Sequence, residues 1–490
     1  MGNAAAASTD DTVDGADCSD ALPHKHLPPL RRGDLPQPLR LRALIGPGVV
    51  LAAAGIGSGE FVLWPNIAQR AGLDYMWAAL LGATFMFFIA TEAVRYTLAT
   101  GETIITGFAR LWRGWTVGFI LMALIPNLWP GYAMGVATLA SFVFGPLDIV
   151  LFTVLSLVLI VALLVFAPVV YTLLERAQTV MMGVRFVFLA CAVVFVSILA
   201  PSVWGDLIGG LANVGQLPPS DVATLPAFAG AIAFAGAGGT VVLLASNYVR
   251  DKNLGMGARI PRIVSPLTGQ EEPGSNVGFM FPPTDENIRR WKQWWKVMNQ
   301  EQFLTFFLCT VLAIFVMSAL AVATLSGQDA GEGFGFLEVE GRVIGQEFGG
   351  FFKTLFFVTG MVALFSTNLG VWDQIGRITA DQLKIYLLRE SRFWTESRIY
   401  ATTLVSLLVF SVIVLFSGLQ APLLLLVIVS FLSGITSFVY TALIIQLNRR
   451  TLPAYVRMGR VRTAVMSLAV LFYGFFFVIT LVNLAREYVL

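Results

Sequence analysis

A single carboxylate interrupts the first long apolar stretch of this chain. Glu60 lies within residues 43–71, at the end of the sequence Gly55-Ile56-Gly57-Ser58-Gly59-Glu60. A charge near the middle of a bilayer is costly, so such a residue normally faces a cavity and has a function. A carboxylate there can ligate a cation or take up a proton. It can equally cap the second half of a broken helix, because the helix dipole favours an acid in the first turn.

The glycines around Glu60 predict a break in the helix that carries it. Gly-interrupted spans are the mark of discontinuous helices, which form substrate sites in secondary transporters. A second break is predicted at Phe234-Ala235-Gly236-Ala237-Gly238-Gly239-Thr240, where free carbonyls would suit cations and free amides would suit anions. The candidate substrate-binding residues are Glu60, Gly57, Ser58, Ala54, Ala235, Gly238 and Thr240, with Glu60 also the candidate metal ligand.

Four further polar residues are candidates for a pathway or a coupling site. Asn127 and Tyr132 belong to the third apolar segment, where they either line a substrate path or close a vestibule. Thr367 and Asn368 follow Ser366 in the eighth segment. Three consecutive polar residues in a span need partners, and they could hold a coupling ion or waters.

Other charged and aromatic residues favour structural roles. Glu92 and Arg95, one helical turn apart, predict an ion pair. Arg185 is expected near a helix end, where its long side chain would reach the interface or pair with an acid. The stretch 291–296, Trp-Lys-Gln-Trp-Trp-Lys, predicts an interfacial helix on the inner leaflet.

The composition predicts a polytopic membrane protein. The 490 residues are 57% hydrophobic and 13% charged, and the mean hydropathy is +0.76. A net charge of +2 suggests no nucleic-acid partner. The three cysteines and two histidines form no disulfide framework or metal motif. With no nucleophile–base pair, hydrolase motif or nucleotide loop, we expect neither an enzyme nor a cofactor.

Eleven apolar segments are long enough to span a bilayer. We number them spans 1 to 11; they cover residues 43–70, 74–98, 115–144, 148–167, 170–200, 226–249, 301–325, 349–374, 400–417, 421–446 and 461–485. Arginines and lysines concentrate in alternate loops, which places the N-terminus in the cytoplasm and the C-terminus outside, in a plasma (inner) membrane.

The two predicted breaks lie five spans apart, as an inverted repeat of five helices would require. We therefore predict an all-α fold with about eleven transmembrane helices and a LeuT-type 5+5 inverted repeat in which helices 1 and 6 are discontinuous. The expected organisation is a disordered cytoplasmic tail (1–40) and a transporter domain (41–490), with repeat one at about 43–200, repeat two at about 226–446, an extra helix at about 461–485, and a cytoplasmic loop at 250–300.

The chain resembles the NRAMP (natural resistance-associated macrophage protein) family of metal ion transporters over about residues 40–485. The resemblance is carried by Gly46-Pro47-Gly48, Gly101-Glu102-Thr103, Leu174-Glu175-Arg176, the two breaks, and Ser366-Thr367-Asn368-Leu369. It implies the LeuT-type fold and cation-driven metal uptake. The family's Asp-Pro-Gly-Asn motif is replaced here by Gly57-Ser58-Gly59-Glu60, and its Met-Pro-His motif by Gly238-Gly239-Thr240.

These observations predict a secondary active transporter of divalent metal ions, cation- or proton-coupled, with a hard-oxygen site suited to Mn²⁺ or Mg²⁺. The alternative is a proton- or ion-coupled symporter of a small organic solute on the same scaffold. The expected partners are thus a divalent metal ion or a small solute, and the lipid bilayer.

Overall fold

The computed structural model describes residues 27–39, 46–167, 170–219, 225–260, 278–328, 330–331, 333–418 and 421–488, and this part of the chain is almost entirely helical. Nine of the described helices are long and apolar enough to cross a membrane: Met76–Thr100, Trp115–Phe144, Ile149–Phe166, Val170–Leu199, Asp285–Leu325, Gly350–Tyr386, Glu396–Phe416, Pro422–Thr451 and Arg460–Ile479. They correspond to spans 2 to 5 and 7 to 11. Helices dominate because a bilayer leaves backbone groups no partner except each other.

Spans 1 and 6 are each interrupted, as predicted. Span 1 consists of Pro47–Gly55 and Gly59–Ala71, bent by 41°, and the second part opens with a π-helical turn, Gly59–Leu63. Span 6 consists of Leu225–Ala233 and Leu244–Asp251, with a 3-10 turn at Gly239–Leu243. The predicted fold class, an all-helical membrane protein with discontinuous helices 1 and 6, is confirmed.

Shorter elements connect the spans. Helices Ile104–Leu111, Val203–Gly210 and Gly335–Phe348 lie between them, a 3-10 turn occurs at Gly255–Arg259, and strands Arg31–Arg32 and Phe279–Met280 pair in parallel. Within span 3, a 3-10 turn at Ile125–Asn127 lies between helices Trp115–Leu124 and Gly131–Phe144.

The segments that are predicted to share one side of the membrane lie together. Arg110 donates to the carbonyl of Pro28 at 3.0 Å, the amide of Gly278 donates to Glu102 Oε1 at 3.0 Å, and the Tyr455 hydroxyl donates to the Phe281 carbonyl at 2.7 Å. We call this end of the bundle the N-terminal side. The contacts join four predicted inside segments that are far apart in sequence.

The N-terminal segment is ordered further toward its start than the predicted tail of residues 1–40 allows. Within residues 27–39, Leu30 and Leu35 are fully buried, and Trp294 donates to the Pro36 carbonyl at 2.8 Å. Residues 1–26 and residue 40 lie outside the described part. Apolar residues spaced among prolines dock this segment on the bundle, so the expected disorder is wrong for residues 27–39.

The Trp-rich stretch is not an interfacial helix. It forms the start of Asp285–Leu325, a helix continuous with span 7, so the predicted boundary at 301 is late by 16 residues. Trp291 and Trp294 are buried in protein while Lys292 and Lys296 are exposed. Arg95 lies 3.7 Å from the ring centre of Trp295. The tryptophans therefore pack on span 2 and the N-terminal segment.

A group of buried ion pairs joins spans 6 and 8 on the N-terminal side. We call its five members, Arg250, Asp251, Asp373, Arg377 and Asp381, the charge layer. Arg377 Nε lies 2.8 and 2.7 Å from the two Asp373 oxygens, and Arg377 also pairs with Asp251. Arg250 Nε lies 3.1 Å from Asp251 Oδ1 and its Nη1 lies 3.5 Å from Asp381 Oδ1. Each of these charges therefore has an oppositely charged partner.

Candidate functional site

Three glycines let span 1 approach its neighbours closely at the break. A Cβ added at Gly57 would lie 2.8 Å from Thr367 Cβ in span 8, and one added at Gly55 would lie 2.9 Å from the Ala237 backbone in span 6. At Gly59, an added Cβ would lie 3.1 Å from the Phe234 carbonyl carbon. An added Cβ would press on backbone at Gly55 and Gly59 and on the Thr367 side chain at Gly57, so a larger residue at any of them would force a neighbour to move.

The break in span 6 depends on two glycines in the left-handed region. Gly236 has a φ of +110° and Gly239 a φ of +61°, conformations that glycine adopts without steric cost. The turn between them directs the Gly236 amide toward span 1. The predicted site residue Gly238 instead packs its Cα against the Phe234 ring, and Ala235 faces Gly82 of span 2.

Glu60 joins the two breaks. Its side chain is buried, and its Oε2 accepts a hydrogen bond from the Gly57 amide at 2.9 Å. Its Oε1 accepts one from the Gly236 amide at 3.0 Å. Neither amide belongs to the regular ladder of its half-helix, and the Gly236 amide also donates to the Phe234 carbonyl at 2.9 Å. The carboxylate therefore caps its own half-helix, as one of the two interpretations predicts, and also fastens span 1 to span 6. Its role as a cation ligand or proton acceptor stays a prediction.

Arg185 is the site residue that the sequence interpretation missed. It lies at the middle of span 5, Val170–Leu199, and is buried. Its Nη1 donates to the carbonyls of Ala53 at 3.0 Å and Ile56 at 2.5 Å. The expectation that it lies near a helix end is wrong; its position at the midpoint of a 30-residue apolar helix was the available signal.

Span 8 contributes a polar face beside the breaks. The Ser366 hydroxyl donates to the Ala53 carbonyl at 2.6 Å, and Gln178 Nε2 of span 5 donates to the Ser366 carbonyl at 3.0 Å. Thr367 Oγ1 and Asn368 Nδ2 are buried and have no hydrogen-bond partner within the described structure. Two predicted residues therefore lie here with unused polar atoms.

About two turns further along span 8, a glutamine contacts the predicted site residue Thr240. Gln374 Nε2 donates to the Thr240 hydroxyl. Its Oε1 is buried without a partner among the described residues. Ala54 packs against Gly370, between these two polar positions. Spans 1, 6 and 8 therefore meet along one polar face of span 8.

The two span 3 candidates, Tyr132 and Asn127, lie differently with respect to the break of span 1. Tyr132 is buried and its hydroxyl lies beside Ser58, at the break of span 1. Asn127 instead turns back to its own helix, where Nδ2 donates to the Ala123 carbonyl at 2.9 Å. Of the two, the structure brings only Tyr132 to the break.

A multi-carboxylate metal centre is absent from the described residues. No group of three or more His, Cys, Asp or Glu side chains there is arranged to hold a metal ion. Glu60 is held instead by two amides, with Arg185 acting on it electrostatically. The buried polar atoms without a partner here, among the residues described, are Arg185 Nε and atoms of three neutral side chains, Thr367, Asn368 and Gln374.

Comparison with solved structures identifies the fold. The chain is similar to the Eremococcus coleocola manganese transporter, solved with an aromatic bis-isothiourea substituted compound: the TM-score is 0.62 at 12% identity, over 94% of this chain and 90% of that chain. It is also similar to Mhp1, a nucleobase-cation-symport-1 family transporter solved in a closed conformation with bromovinylhydantoin bound: the TM-score is 0.53 at 16% identity, over 90% of this chain and 91% of that one. No protein-family model and no curated protein sequence matches. The structural neighbours are transporters rather than enzymes, and the chain shares with them the LeuT-type fold of an integral membrane protein.

Proposed function

We propose that this protein is a secondary active transporter that binds a small, neutral polar solute between the breaks of spans 1 and 6. Discontinuous helices at the bilayer midplane are the usual binding sites of such folds, because their free backbone groups are available to ligands. Here the breaks, the Glu60 carboxylate and the polar face of span 8 converge on one place.

The observation that carries the choice of substrate is the compensated charge of the site. The Glu60 oxygens accept hydrogen bonds from two backbone amides, and the Arg185 guanidinium stands on the other side of the span 1 break. A divalent cation needs several oxygen ligands and usually more than one carboxylate. With one carboxylate and a fixed positive charge nearby, the site favours a ligand that brings little net charge.

The unused polar atoms suggest how such a solute is held. Thr367 Oγ1, Asn368 Nδ2 and Gln374 Oε1 are buried and unpartnered within the described structure. Buried polar groups without partners are costly and normally serve a ligand or an ordered water. A hydroxyl, an amide donor and an amide acceptor are the kinds of group that bond an amide- or ureide-like solute.

A divalent cation is the second candidate. Glu60 supplies hard oxygen at a break that occupies the same position in the NRAMP-type fold, and one structural neighbour is described as a manganese transporter. Under this alternative, Mn²⁺ or Mg²⁺ would displace the two amides from the carboxylate, and coupling to protons or another cation would drive uptake.

Ligand-induced thermal stabilisation separates the two candidates. Purified protein in nanodiscs is titrated with urea, hydantoin, uracil and nicotinamide, and separately with MnCl₂ and MgCl₂. We expect a saturable rise in Tm with at least one neutral probe, and uptake of that probe into proteoliposomes. The rise should disappear in Asn368→Leu and persist in Asn127→Leu, the matched control whose amide donates to a carbonyl of its own helix.

A saturable rise with Mn²⁺ that Glu60→Gln abolishes would instead establish the divalent cation as substrate. If no probe stabilises the protein and none accumulates in proteoliposomes, the transport proposal is contradicted.

The orientation is part of the same proposal. The arginine- and lysine-rich segments lie on the N-terminal side, which the charge rule assigns to the cytoplasm of a plasma (inner) membrane. Cys18 precedes the described residues, whereas Cys191 and Cys309 lie in spans. A membrane-impermeant maleimide should label Cys18 in inside-out vesicles and leave it unlabelled in intact cells, with Cys18→Ser as control.

A further inference from the structure

The end of the first half-helix of span 1 presents backbone oxygens with no helical partner. A helix leaves its last four carbonyls unpaired, and this one ends at Gly55. The Gly57 amide, which a continuing helix would direct to the Ala53 carbonyl, binds Glu60 instead. The Ala53 and Ile56 carbonyls are therefore open to other donors or to a cation.

The Arg185 guanidinium occupies this position. Its Nη1 contacts the Ala53 and Ile56 oxygens, and its Nη2 lies 3.5 Å from the Val362 oxygen of span 8. Ser366 adds a hydroxyl at the Ala53 carbonyl. In the described structure no carboxylate oxygen lies within ion-pair distance of Arg185. Its charge is thus surrounded by neutral oxygens from spans 1 and 8.

Such a set of oxygens suits a monovalent cation. Unwound carbonyls at half-helix ends coordinate the driving cation in transporters built on broken helices, and rings of carbonyls replace the hydration shell of monovalent ions in channels. A guanidinium with fixed donors satisfies the same oxygens without dissociating, because span 5 holds it in place.

The half-helix Pro47–Gly55 is also bracketed by charges that match its dipole. At its start, Glu301 Oε1 accepts from the amides of Gly46 at 3.3 Å and Gly48 at 2.8 Å. At its end lies Arg185. A carboxylate at a helix N-terminus and a cation at its C-terminus are both stabilising, so the positive charge at this place is favourable whether it is tethered or free.

We infer that Arg185 is a tethered cation that fills a monovalent-ion site formed by the Ala53, Ile56 and Val362 carbonyls and the Ser366 hydroxyl. The inference deepens the proposed transport function: this transporter neither binds nor requires free Na⁺ at the end of the first half-helix. Removing the Arg185 side chain exposes the oxygens and creates an Na⁺ site.

The first measurement uses the wild-type protein without any transport assay. Purified protein in nanodiscs should bind no saturable ²²Na⁺, and its Tm should be the same in NaCl and in choline chloride at equal ionic strength. Saturable ²²Na⁺ binding to the wild type that Ser366→Ala weakens would overturn the inference. Because transport is not measured, failure of the proposed function leaves this result unaffected.

The second measurement uses variants at the same position. Arg185→Ala should lose Tm in choline chloride and regain part of it saturably with NaCl, whereas Arg185→Lys, which keeps a tethered cation, should not respond to Na⁺. Adding Ser366→Ala to Arg185→Ala should weaken the Na⁺ response about tenfold, since one ligand to a charged group is lost. A folded Arg185→Ala that is indifferent to Na⁺ shows that Arg185 is merely structural and overturns the inference. If that variant does not fold, the wild-type measurement decides.

Discussion

Charged side chains are buried in two regions of this molecule, around the breaks of spans 1 and 6 and in the charge layer. In the charge layer, Arg377 and Asp373 bind each other directly, with the Tyr400 hydroxyl donating to Asp373 at 2.8 Å. At the breaks, Glu60 binds amides and Arg185 binds carbonyls. One region satisfies its charges with other side chains, and the other satisfies them with backbone.

The charge layer is held together by ion pairs between side chains, whereas the charges at the centre, the region around the two breaks, bind backbone groups. Ion pairs in the charge layer connect the second half of span 6 to span 8, and their strength does not depend on a ligand. Backbone groups are available at the centre only because two helices are unwound there. The centre also leaves polar atoms unused, at Thr367 and Asn368 for example. Under the proposed function, a solute would change the contacts of the centre while the charge layer stays intact.

The largest effect is expected from breaking the charge layer. Arg377→Leu leaves Asp373 and one oxygen of Asp251 without their guanidinium partner, and removing one member of a buried ion pair costs about 3–5 kcal/mol. We expect severe loss of stability, measured as Tm and monodispersity in detergent. Arg389→Leu, at an exposed arginine beyond the end of the same helix, is the control and should be near neutral. Equal stability of the two variants would contradict the role of the charge layer.

A smaller effect is expected from separating the two breaks. Gly59→Ala places a Cβ against the Phe234 carbonyl group, and overpacking of this kind costs about 1–3 kcal/mol. Ligand stabilisation should fall as well, because Glu60 follows Gly59 directly. The control is Gly183→Ala in span 5, where the new Cβ meets nothing within 4 Å and helix propensity predicts a gain of about 0.5–1 kcal/mol. A Gly59→Ala variant that matches this control would refute the close approach.

Removing one hydroxyl from the centre tests how the backbone oxygens are satisfied. Ser366→Ala deletes the donor to the Ala53 carbonyl, which still accepts from Arg185. The expected loss is about 1 kcal/mol, the value of a typical hydrogen bond. Ser417→Ala, at an exposed serine whose hydroxyl bonds the Val414 carbonyl within its own helix turn, should change Tm less. The opposite order would mean that the Ser366 contact contributes nothing.

The smallest effect is expected from an exposed ion pair. Glu286 pairs with Arg290 across one turn of the Asp285–Gln302 helix, and 57% of the Glu286 side chain is exposed. Glu286→Ala should change the unfolding free energy by less than about 1 kcal/mol, and by less at high salt, because solvent screens the pair. A loss comparable to that of Arg377→Leu would remove the distinction between buried and exposed pairs.

The sequence predicted those features that depend on local patterns. Glycine clusters marked both breaks, and the spacing of Glu92 and Arg95 predicted an ion pair that exists, with Nε 2.6 Å from Oε2. The alternation of loop charge predicted which segments lie on one side of the membrane. Two of these segments are joined by the hydrogen bond from Arg110 to the Pro28 carbonyl. Each of these signals arises from residues within a few turns of one another, or from the bilayer itself.

The sequence did not predict features that depend on which helices become neighbours. We predicted Trp291 and Trp294 to lie in an interfacial helix because periodicity shows an apolar face and not what covers it. We predicted residues 27–39 to belong to a disordered tail because they contain few apolar residues. Those residues dock on surfaces that other segments form. We predicted Arg185 near a helix end because its partners are carbonyls of another helix, and such contacts leave no pattern in the sequence.

By itself, then, the sequence determined the membrane-spanning helices, the positions of the two breaks and the single carboxylate beside the first. These follow from hydrophobic length and from the weakness of glycine as a helix former. Only the tertiary structure decided what the charges at the breaks bind. Whether Glu60 faces a cation or two amides, and whether Arg185 reaches lipid headgroups or the open carbonyls of span 1, depends on packing between helices that lie more than a hundred residues apart in the chain.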